Sequence, residues 1–320
     1  MNAITLPEAD GIGALRYQTV DRPRPASDEV LVRVRAAGVN PLDWLICEGF
    51  LPELRDGTLP WIPGWDVSGV VAAVGDGVTA FDAGGAVCGM ARVPDGGGTF
   101  AEYVTMTVDE ITEKPPSLSH TATAGIPMAG QTAFHALYQV GNLTPGQRVL
   151  VHAAAGGVGH LAVQFAAETG AHVIGTASRR NEQYLSALGV DEVVDYQTEQ
   201  FDAVLDDVDL VLDAIGGDVL ERSVEITSSG GVVVTLPEAP SADDIERFQA
   251  DHGVSVRHFD VLTESDPGTL DRVTDHVGAG DIQPTVSETY RLPEARDALE
   301  QSAGGHVRGK LVLEVPDQKG

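Results

Sequence analysis

Long apolar runs, cysteines and lysines are scarce in this sequence of 320 residues. No run of about 18 apolar residues occurs, which argues against a membrane-spanning helix, and the first residues lack the basic and apolar segments of a signal peptide. The two cysteines, Cys47 and Cys88, are too few for a disulfide framework or a four-cysteine zinc site. We therefore expect a globular protein of a reducing, cytoplasmic environment.

Acidic residues outnumber basic residues by a wide margin. The chain has 48 acidic and 20 basic residues, for a net charge of −28, and only three of the basic residues are lysines. This charge repels phosphate backbones, so nucleic-acid binding is not expected. Scattered acid with few lysines is typical of a surface adapted to high salt, where ions screen the self-repulsion. We expect a halophilic source; an ordinary acidic cytosolic protein is the alternative.

The order of the predicted elements indicates an α/β fold. Short apolar segments broken by glycine and proline, including Val30–Arg35, Val67–Val74 and Ala86–Met90, predict a small β-rich unit in the first third. From Arg148 onwards strands and helices alternate, which predicts a doubly wound parallel sheet. A last apolar strand, Gly309–Val315, is expected to rejoin the first unit. The expected domains are 1–122 together with 262–320, and 123–261.

A glycine-rich turn between a predicted strand and a predicted helix is the strongest functional signal. Ala154, Gly156 and Gly159 form the pattern A-x-G-x-x-G directly after the strand Arg148–His152. The middle position of this pattern lets the backbone approach a pyrophosphate, and the last lets the helix pack on the strand. The helix N-terminus offers unpaired N–H groups to the phosphates. The pattern predicts a dinucleotide site; a purely structural glycine turn is the alternative.

The end of the next strand indicates which dinucleotide is bound. Where an acid would hold the 2′-hydroxyl of a ribose, the chain has Ser178, Arg179 and Arg180. A hydroxyl and guanidinium groups suit a 2′-phosphate, to which they can donate charge-assisted hydrogen bonds. The sequence therefore favours NADP(H) over NAD(H). Two solvated arginines at the start of a helix are the alternative.

Segments spread over nearly the whole chain resemble the zinc-independent medium-chain dehydrogenase/reductase superfamily, on its quinone oxidoreductase and enone reductase branch. The segments are Gly38–Asp43, Pro63–Val71, Gly97–Val104, Gly130–Ala133, Asn142–Gly146 and His306–Lys310. The resemblance implies a GroES-like β-rich catalytic domain, an inserted Rossmann domain that binds the cofactor, and a homodimer.

The resemblance also implies a role for individual residues. Asn40 would lie near the nicotinamide ribose and Thr132 near the nicotinamide ring. The turn residues that would face the pyrophosphate are Ala155, Gly156, Gly157 and Val158. The residues at the 2′-phosphate end would be Ser178, Arg179 and Tyr196, to which charge alone adds Arg180. Ile215 and Leu236, each just after a strand, would lie beside the cofactor.

The same comparison disfavours a catalytic metal. Zinc-dependent relatives have Cys where Asn40 stands and a His-Glu pair where Trp65 and Asp66 stand, and a catalytic zinc needs three such ligands. Without a metal, the cofactor would deliver hydride to a quinone or an α,β-unsaturated carbonyl compound. Asn40 and Tyr103 are the candidate donors to the oxygen on which charge develops.

Two other functions are weighed against this one. A non-catalytic NADPH-binding sensor or structural protein would have the same cofactor site. A reductase of acyl-CoA thioesters would need a basic patch for the CoA phosphates, and no Lys/Arg cluster is visible outside Ser178–Arg180.

Overall fold

The chain forms two compact units in a computed structural model that describes residues 1–8, 10–50, 59–91, 97–261 and 267–315. The first unit comprises Met1–Met128, Asp266–Ala279 and Pro284–Gly320, and the second comprises Ala129–Ser265 and Gly280–Gln283. Along the chain, the second unit interrupts the first. Among the described residues, no helix combines the length and the apolar character that a membrane span requires.

The strands and helices have the following bounds. The strands are β1 (Asn2–Thr5), β2 (Arg16–Thr19), β3 (Glu29–Val39), β4 (Asp66–Val74), β5 (Ala86–Met90), β6 (Tyr103–Thr107), β7 (Ile111–Glu113), β8 (Arg148–Val151), β9 (His172–Ala177), β10 (Glu192–Asp195), β11 (Val208–Asp213), β12 (Thr227–Thr235), β13 (Ser255–His258), β14 (Val286–Arg291) and β15 (Lys310–Glu314). The α-helices are α1 (Pro41–Cys47), α2 (His120–Ala124), α3 (Pro127–Phe134), α4 (Gly159–Thr169), α5 (Glu182–Ala187), α6 (Phe201–Val204), α7 (Asp218–Ile226), α8 (Ala242–His252), α9 (Pro267–Ala279) and α10 (Ala295–Ala303).

The first unit is built on a mostly antiparallel sheet in the order β14-β15-β3-β4-β5-β7, with β6 also paired to β3. The long strand β3 is buried over most of its length because β4, β6 and β15 pair with it and α2 packs on it. Gly38 makes that helix packing possible, since a Cβ there would lie 2.2 Å from the carbonyl oxygen of Ala124. The predicted strands of this unit are confirmed, and the last strand does rejoin it, with Leu311 opposite Val39.

The second unit contains a parallel sheet in the order β10-β9-β8-β11-β12-β13. This is the doubly wound order of dinucleotide-binding sheets, in which all carboxyl ends lie along one edge. Buried apolar side chains from adjacent strands, among them Leu150, Ile174, Val211 and Val233, form the core. The alternation of strands and helices predicted from Arg148 onwards is therefore confirmed, so the chain has an α/β fold with a Rossmann-like parallel sheet.

The stretch between the two units differs in detail from the expectation. Ser119 caps the helix that begins at His120, because its Oγ accepts a hydrogen bond from the N–H of Ala122 at 3.1 Å. That helix, α2, packs on β3, β4 and β15. The first unit therefore extends to Met128, beyond the expected boundary at 122.

Candidate functional site

The glycine-rich turn between β8 and α4 has three free backbone donors. Within the described residues, no acceptor meets the N–H groups of Gly157, Val158 and Gly159. The neighbouring strand holds the turn, because the N–H of Ala154 donates to the carbonyl oxygen of Thr176 at 3.1 Å. Free N–H groups at the start of an eleven-residue helix are the donors that bind phosphate in this class of sheet.

The two motif glycines of this turn have different surroundings. A Cβ at Gly159 would lie 2.4 Å from the carbonyl oxygen of Ala153 and 2.8 Å from the Cα of Ala154. A Cβ at Gly156 would meet one atom only, the carbonyl oxygen of Ala153 at 3.1 Å. Gly159 therefore serves the close packing of α4 on the turn, whereas Gly156 leaves space beside the backbone.

The predicted 2′-phosphate residues lie at the carboxyl ends of the adjacent strands β9 and β10. Ser178 is buried and begins a short 3-10 turn, while Arg179 and Arg180 are exposed. Tyr196 follows β10 and is 50% exposed. Strands β8, β9 and β10 are parallel neighbours, so these residues and the glycine turn share one edge of the sheet.

A buried carboxyl group shapes the loop that follows β11. Asp213 accepts hydrogen bonds from the N–H groups of Ile215 at 2.8 Å and Gly216 at 3.0 Å, and burial raises the pKa of this carboxyl. Ile215 is thereby held with 52% of its surface exposed. Leu236, which is half-buried after β12, is tied to the same place by its N–H, 2.9 Å from the carbonyl oxygen of Asp213. The structure thus places Ile215 and Leu236 at the same edge, and sequence reasoning missed Asp213.

Two further predicted cofactor residues are almost fully buried. Thr132, on α3, and Ala155, in the turn, are each 6% exposed. Their contribution to a ligand site is therefore limited to a small part of each residue.

The histidine that begins the turn is a packed residue. Both ring nitrogens of His152 have partners, Thr176 Oγ1 at 3.1 Å from Nδ1 and Ser223 Oγ at 2.9 Å from Nε2. Burial lowers the pKa of His152 to about 4, so the ring is neutral at pH 7. A neutral ring whose two nitrogens are both hydrogen-bonded stabilises the turn and is poorly placed to transfer a proton.

Asn40 lies in a buried polar cluster of the first unit. It precedes α1 and is 3% exposed, and its backbone N–H donates to Asp43 Oδ2 at 2.7 Å. Its side-chain Nδ2 donates to Asp66 Oδ2 at 3.0 Å, while its Oδ1 accepts from the ammonium of Lys310. Asp66 also accepts, through Oδ1, from the N–H of Met128 at 2.8 Å.

The cluster contains three buried titratable groups. Burial raises the pKa of Asp43 to about 8 and also raises that of Asp66, whereas it lowers the pKa of Lys310. The opposite charges of Asp66 and Lys310, whose Oδ2 and Nζ atoms are 3.6 Å apart, act against the shifts of both. Asp43, Asp66 and Lys310 lie within the segments that carry the family resemblance, but the sequence alone predicts no role for them.

This donor set does not fit a catalytic zinc ion. Zinc-dependent relatives would place ligands at positions 40, 65 and 66, where this chain has an amide, an indole and a carboxyl group. Trp65 is fully buried, and both oxygens of Asp66 already accept hydrogen bonds. The ammonium of Lys310 adds a positive charge at the point where a cation would have to bind.

The second predicted donor, Tyr103, lies elsewhere on the first unit. It pairs with Arg33 on β3, seven residues before Asn40 along the chain, which corresponds to roughly 20 Å of strand. Its ring stacks with the guanidinium of Arg22, 3.7 Å from the ring centroid. The structure therefore does not bring Tyr103 and Asn40 to one substrate atom, and a catalytic role of Tyr103 stays a prediction.

Two known families match parts of the sequence. Residues 26–116 match the alcohol dehydrogenase GroES-like domain, and residues 188–313 match the zinc-binding dehydrogenase family. The chloroplastic quinone-oxidoreductase homolog of Spinacia oleracea is 31% identical over 313 residues, which cover 95% of each chain. A phenolphthiocerol/phthiocerol polyketide synthase of Mycobacterium tuberculosis is 34% identical over 320 residues, but the chain spans only 14% of the length of that much larger protein.

The fold is shared with solved structures as well. The quinone oxidoreductase from Coxiella burnetii superposes with a TM-score of 0.91 at 35% identity, over 99% of both chains. Since similarity to quinone oxidoreductases extends over nearly the whole chain in both sequence and structure, the chain belongs to the medium-chain dehydrogenase/reductase superfamily.

Proposed function

We propose that the protein is an NADPH-dependent oxidoreductase that reduces a quinone or an α,β-unsaturated carbonyl compound without a metal ion. One observation carries this proposal: the three free N–H groups of the glycine turn share a sheet edge with the exposed Arg179 and Arg180. The N–H groups suit a pyrophosphate, and the guanidinium groups suit a 2′-phosphate. The quinone oxidoreductase relatives support the substrate class.

Charge supports NADP(H) over NAD(H). In a chain of net charge −28, Arg179 and Arg180 stand together after β9, and Ser178 directly precedes them. The side chain of Tyr196 lies on the neighbouring strand end, where it could cover the same phosphate. A cofactor without the 2′-phosphate would forgo the charge-assisted hydrogen bonds that these guanidinium groups offer.

The residues of the first unit supply the substrate chemistry. A reduced nicotinamide, when bound, would supply the hydride. As hydride adds to the β-carbon of an enone, the electron pair of the C=C bond moves and negative charge develops on the carbonyl oxygen. Nδ2 of Asn40 donates a hydrogen bond to that oxygen, which takes the place of a Lewis acid. A proton from water then adds to the α-carbon.

Activity measurements in molar KCl test this function. NADPH oxidation is followed with p-benzoquinone, cyclohexenone and trans-hexenal, and NADH is compared under the same conditions. We expect turnover with at least one of the three, a preference for NADPH, and no loss after treatment with a zinc chelator. Lack of turnover with all three would refute the proposal, and inactivation by the chelator would refute its metal-free part.

A non-catalytic NADPH-binding protein is the alternative, because it would use the same turn and arginines. Tight NADPH binding by calorimetry without turnover on any of the three substrates would favour it. Replacing Tyr103 with Phe tests the second candidate donor: a fall in kcat with unchanged NADPH binding would assign it a catalytic role.

Three further expectations belong to the same proposal. The acidic, lysine-poor composition supports a protein adapted to high salt, and the two cysteines support a cytoplasmic location. The third expectation is a homodimer, which is what the family resemblance implies. Light scattering in molar KCl tests the last expectation, and a monomeric mass would contradict it.

A further inference from the structure

The side-chain amide of Asn40 is held at both of its ends. Nδ2 donates to Asp66 Oδ2 at 3.0 Å, and Oδ1 accepts from the ammonium of Lys310. An ammonium can only donate and a carboxylate can only accept, so the two partners fix which end of the amide faces which way. A flipped amide would place a donor against Lys310 and an acceptor against Asp66.

This arrangement leaves one donor over. The Nδ2 group has two hydrogens, and one of them is used by Asp66. Among the described residues no acceptor takes the other hydrogen, although Asn40 is 3% exposed. A nearly buried polar hydrogen without a partner in the protein is a good donor for a ligand.

The charge of the cluster is consistent with a single ion pair. Asp43 Oδ1 is buried and has no partner among the described residues, which suits a protonated carboxyl better than a carboxylate. Burial raises the pKa of Asp43 to about 8, in the same direction. Asp66 and Lys310 then remain as the one pair of opposite charges, 3.6 Å apart.

A buried ion pair costs desolvation energy and gives little stability compared with apolar side chains of similar size. Lys310 and Asp66 are 4% and 0% exposed at their side chains, so this cost applies to both. Their contacts with the two ends of one amide supply a different advantage, because they give that amide a single orientation.

We propose that Asp66 and Lys310 are positioning residues that lock the amide of Asn40 so that its second Nδ2 hydrogen is presented to the carbonyl or quinone oxygen of the substrate. This proposal rests on the proposed function for the identity of the acceptor. The lock itself is a property of the protein without substrate and can be tested separately.

The test combines two substitutions that remove both charges together. Asp66→Asn or Lys310→Met alone leaves a buried charge unpaired, so each is expected to destabilise the fold. In the double variant no charge is left. The new amide at position 66 would keep its oxygen on the N–H of Met128 and turn its NH₂ group towards Asn40, which favours the flipped orientation of Asn40.

Stability, turnover and additivity are then measured. We expect the double variant to regain much of the thermal stability that the single variants lose, but to keep a kcat lowered by about 10-fold or more, since removing one such donor costs about 10²–10³-fold. The triple variant, which adds Asn40→Ala to the double variant, should have a kcat no lower than that of the single Asn40→Ala variant. A double variant with wild-type kcat, or multiplied losses in the triple variant, would overturn the proposal.

A measurement without substrate separates this proposal from the proposed function. In the wild-type protein, the side-chain NH₂ signal of Asn40 in an NMR spectrum should exchange slowly with solvent, and it should exchange at least about 10-fold faster once the charges are removed. If the wild-type protein turns over none of the substrates but shows this protection, the function is wrong and the lock stands. Fast exchange in the wild-type protein would refute the lock, whatever the activity.

Discussion

The two motif glycines of the glycine-rich turn should respond differently to the same small substitution. Neither Gly156 nor Gly159 has a positive φ, so alanine is allowed by the backbone at both positions. At Gly159, however, the new Cβ would lie 2.4 Å from one backbone atom and 2.8 Å from another. The start of α4 would have to move, and overpacking of this kind costs about 2 kcal/mol.

At Gly156 the effect should fall on binding instead. The new Cβ would meet only the carbonyl oxygen of Ala153, at 3.1 Å, which a small shift relieves. The methyl group would occupy the space that we assign to the pyrophosphate. Loss of one hydrogen bond to a charged group is worth about 1.5–3 kcal/mol, which corresponds to about 10- to 100-fold in the Kd of NADPH.

Thermal unfolding and calorimetry with NADPH, both in molar KCl, separate the two effects. Gly13→Ala is the matched control, because a Cβ there would meet no atom within 4 Å and the φ of Gly13 is not positive. We expect Gly156→Ala to unfold like the control but to bind weakly, and Gly159→Ala to lose stability as well. Wild-type affinity in Gly156→Ala would refute the placement of the phosphates, and wild-type stability in Gly159→Ala would refute the packing argument.

Three other predictions concern charge and pH. Replacing Arg179 and Arg180 with Ala should raise the Kd of NADPH by about 10-fold or more while leaving NADH binding nearly unchanged. The control is Arg257→Ala, at an exposed position on β13. An equal loss of affinity for both cofactors would contradict a 2′-phosphate site. The pKa of His152 is about 4 in the folded protein, which is below its value in the unfolded chain. The unfolded chain therefore binds more protons between about pH 6.5 and 4, so the free energy of unfolding should fall as the pH drops through this window. Urea unfolding at several pH values should show a flatter decline for His152→Gln, and identical slopes would refute this assignment. Because the net charge is −28, the melting temperature should rise between about 0.1 M and molar KCl as the Debye length shortens from about 10 Å to 3 Å; an unchanged melting temperature would contradict adaptation to salt.

The glycine turn and the strand and helix around it could be predicted from the sequence because their signals are local. Ala154, Gly156 and Gly159 lie within six residues, and the strand and helix around them follow from apolar periodicity. The carboxyl ends of parallel strands share one edge, so the sequence alone places Arg179 and Tyr196 at the same edge as this turn.

The polar cluster around Asn40 could not be predicted in the same way. Its partners Asp66 and Lys310 are 26 and 270 residues away, and their contacts depend on how β4 and β15 register with β3. The sequence shows these residues within the family segments, but hydrophobic periodicity does not predict which buried side chains contact one another. Asp213 could not be predicted for a related reason. An acidic residue at the end of an apolar strand is typical of a turn, and only the structure shows that it accepts hydrogen bonds from Ile215 and Gly216.

The return of β15 to β3 has a consequence for biosynthesis. Contacts within the inserted parallel sheet join segments that leave the ribosome one after another, so that sheet can form while the chain is still being made. The amide of Asn40, in contrast, contacts Lys310, which is 270 residues later in the chain and is therefore synthesised much later. A chain interrupted before Lys310 could therefore form the glycine turn but would lack the partner that fixes the amide of Asn40, so this orientation is set only when the last strand is in place.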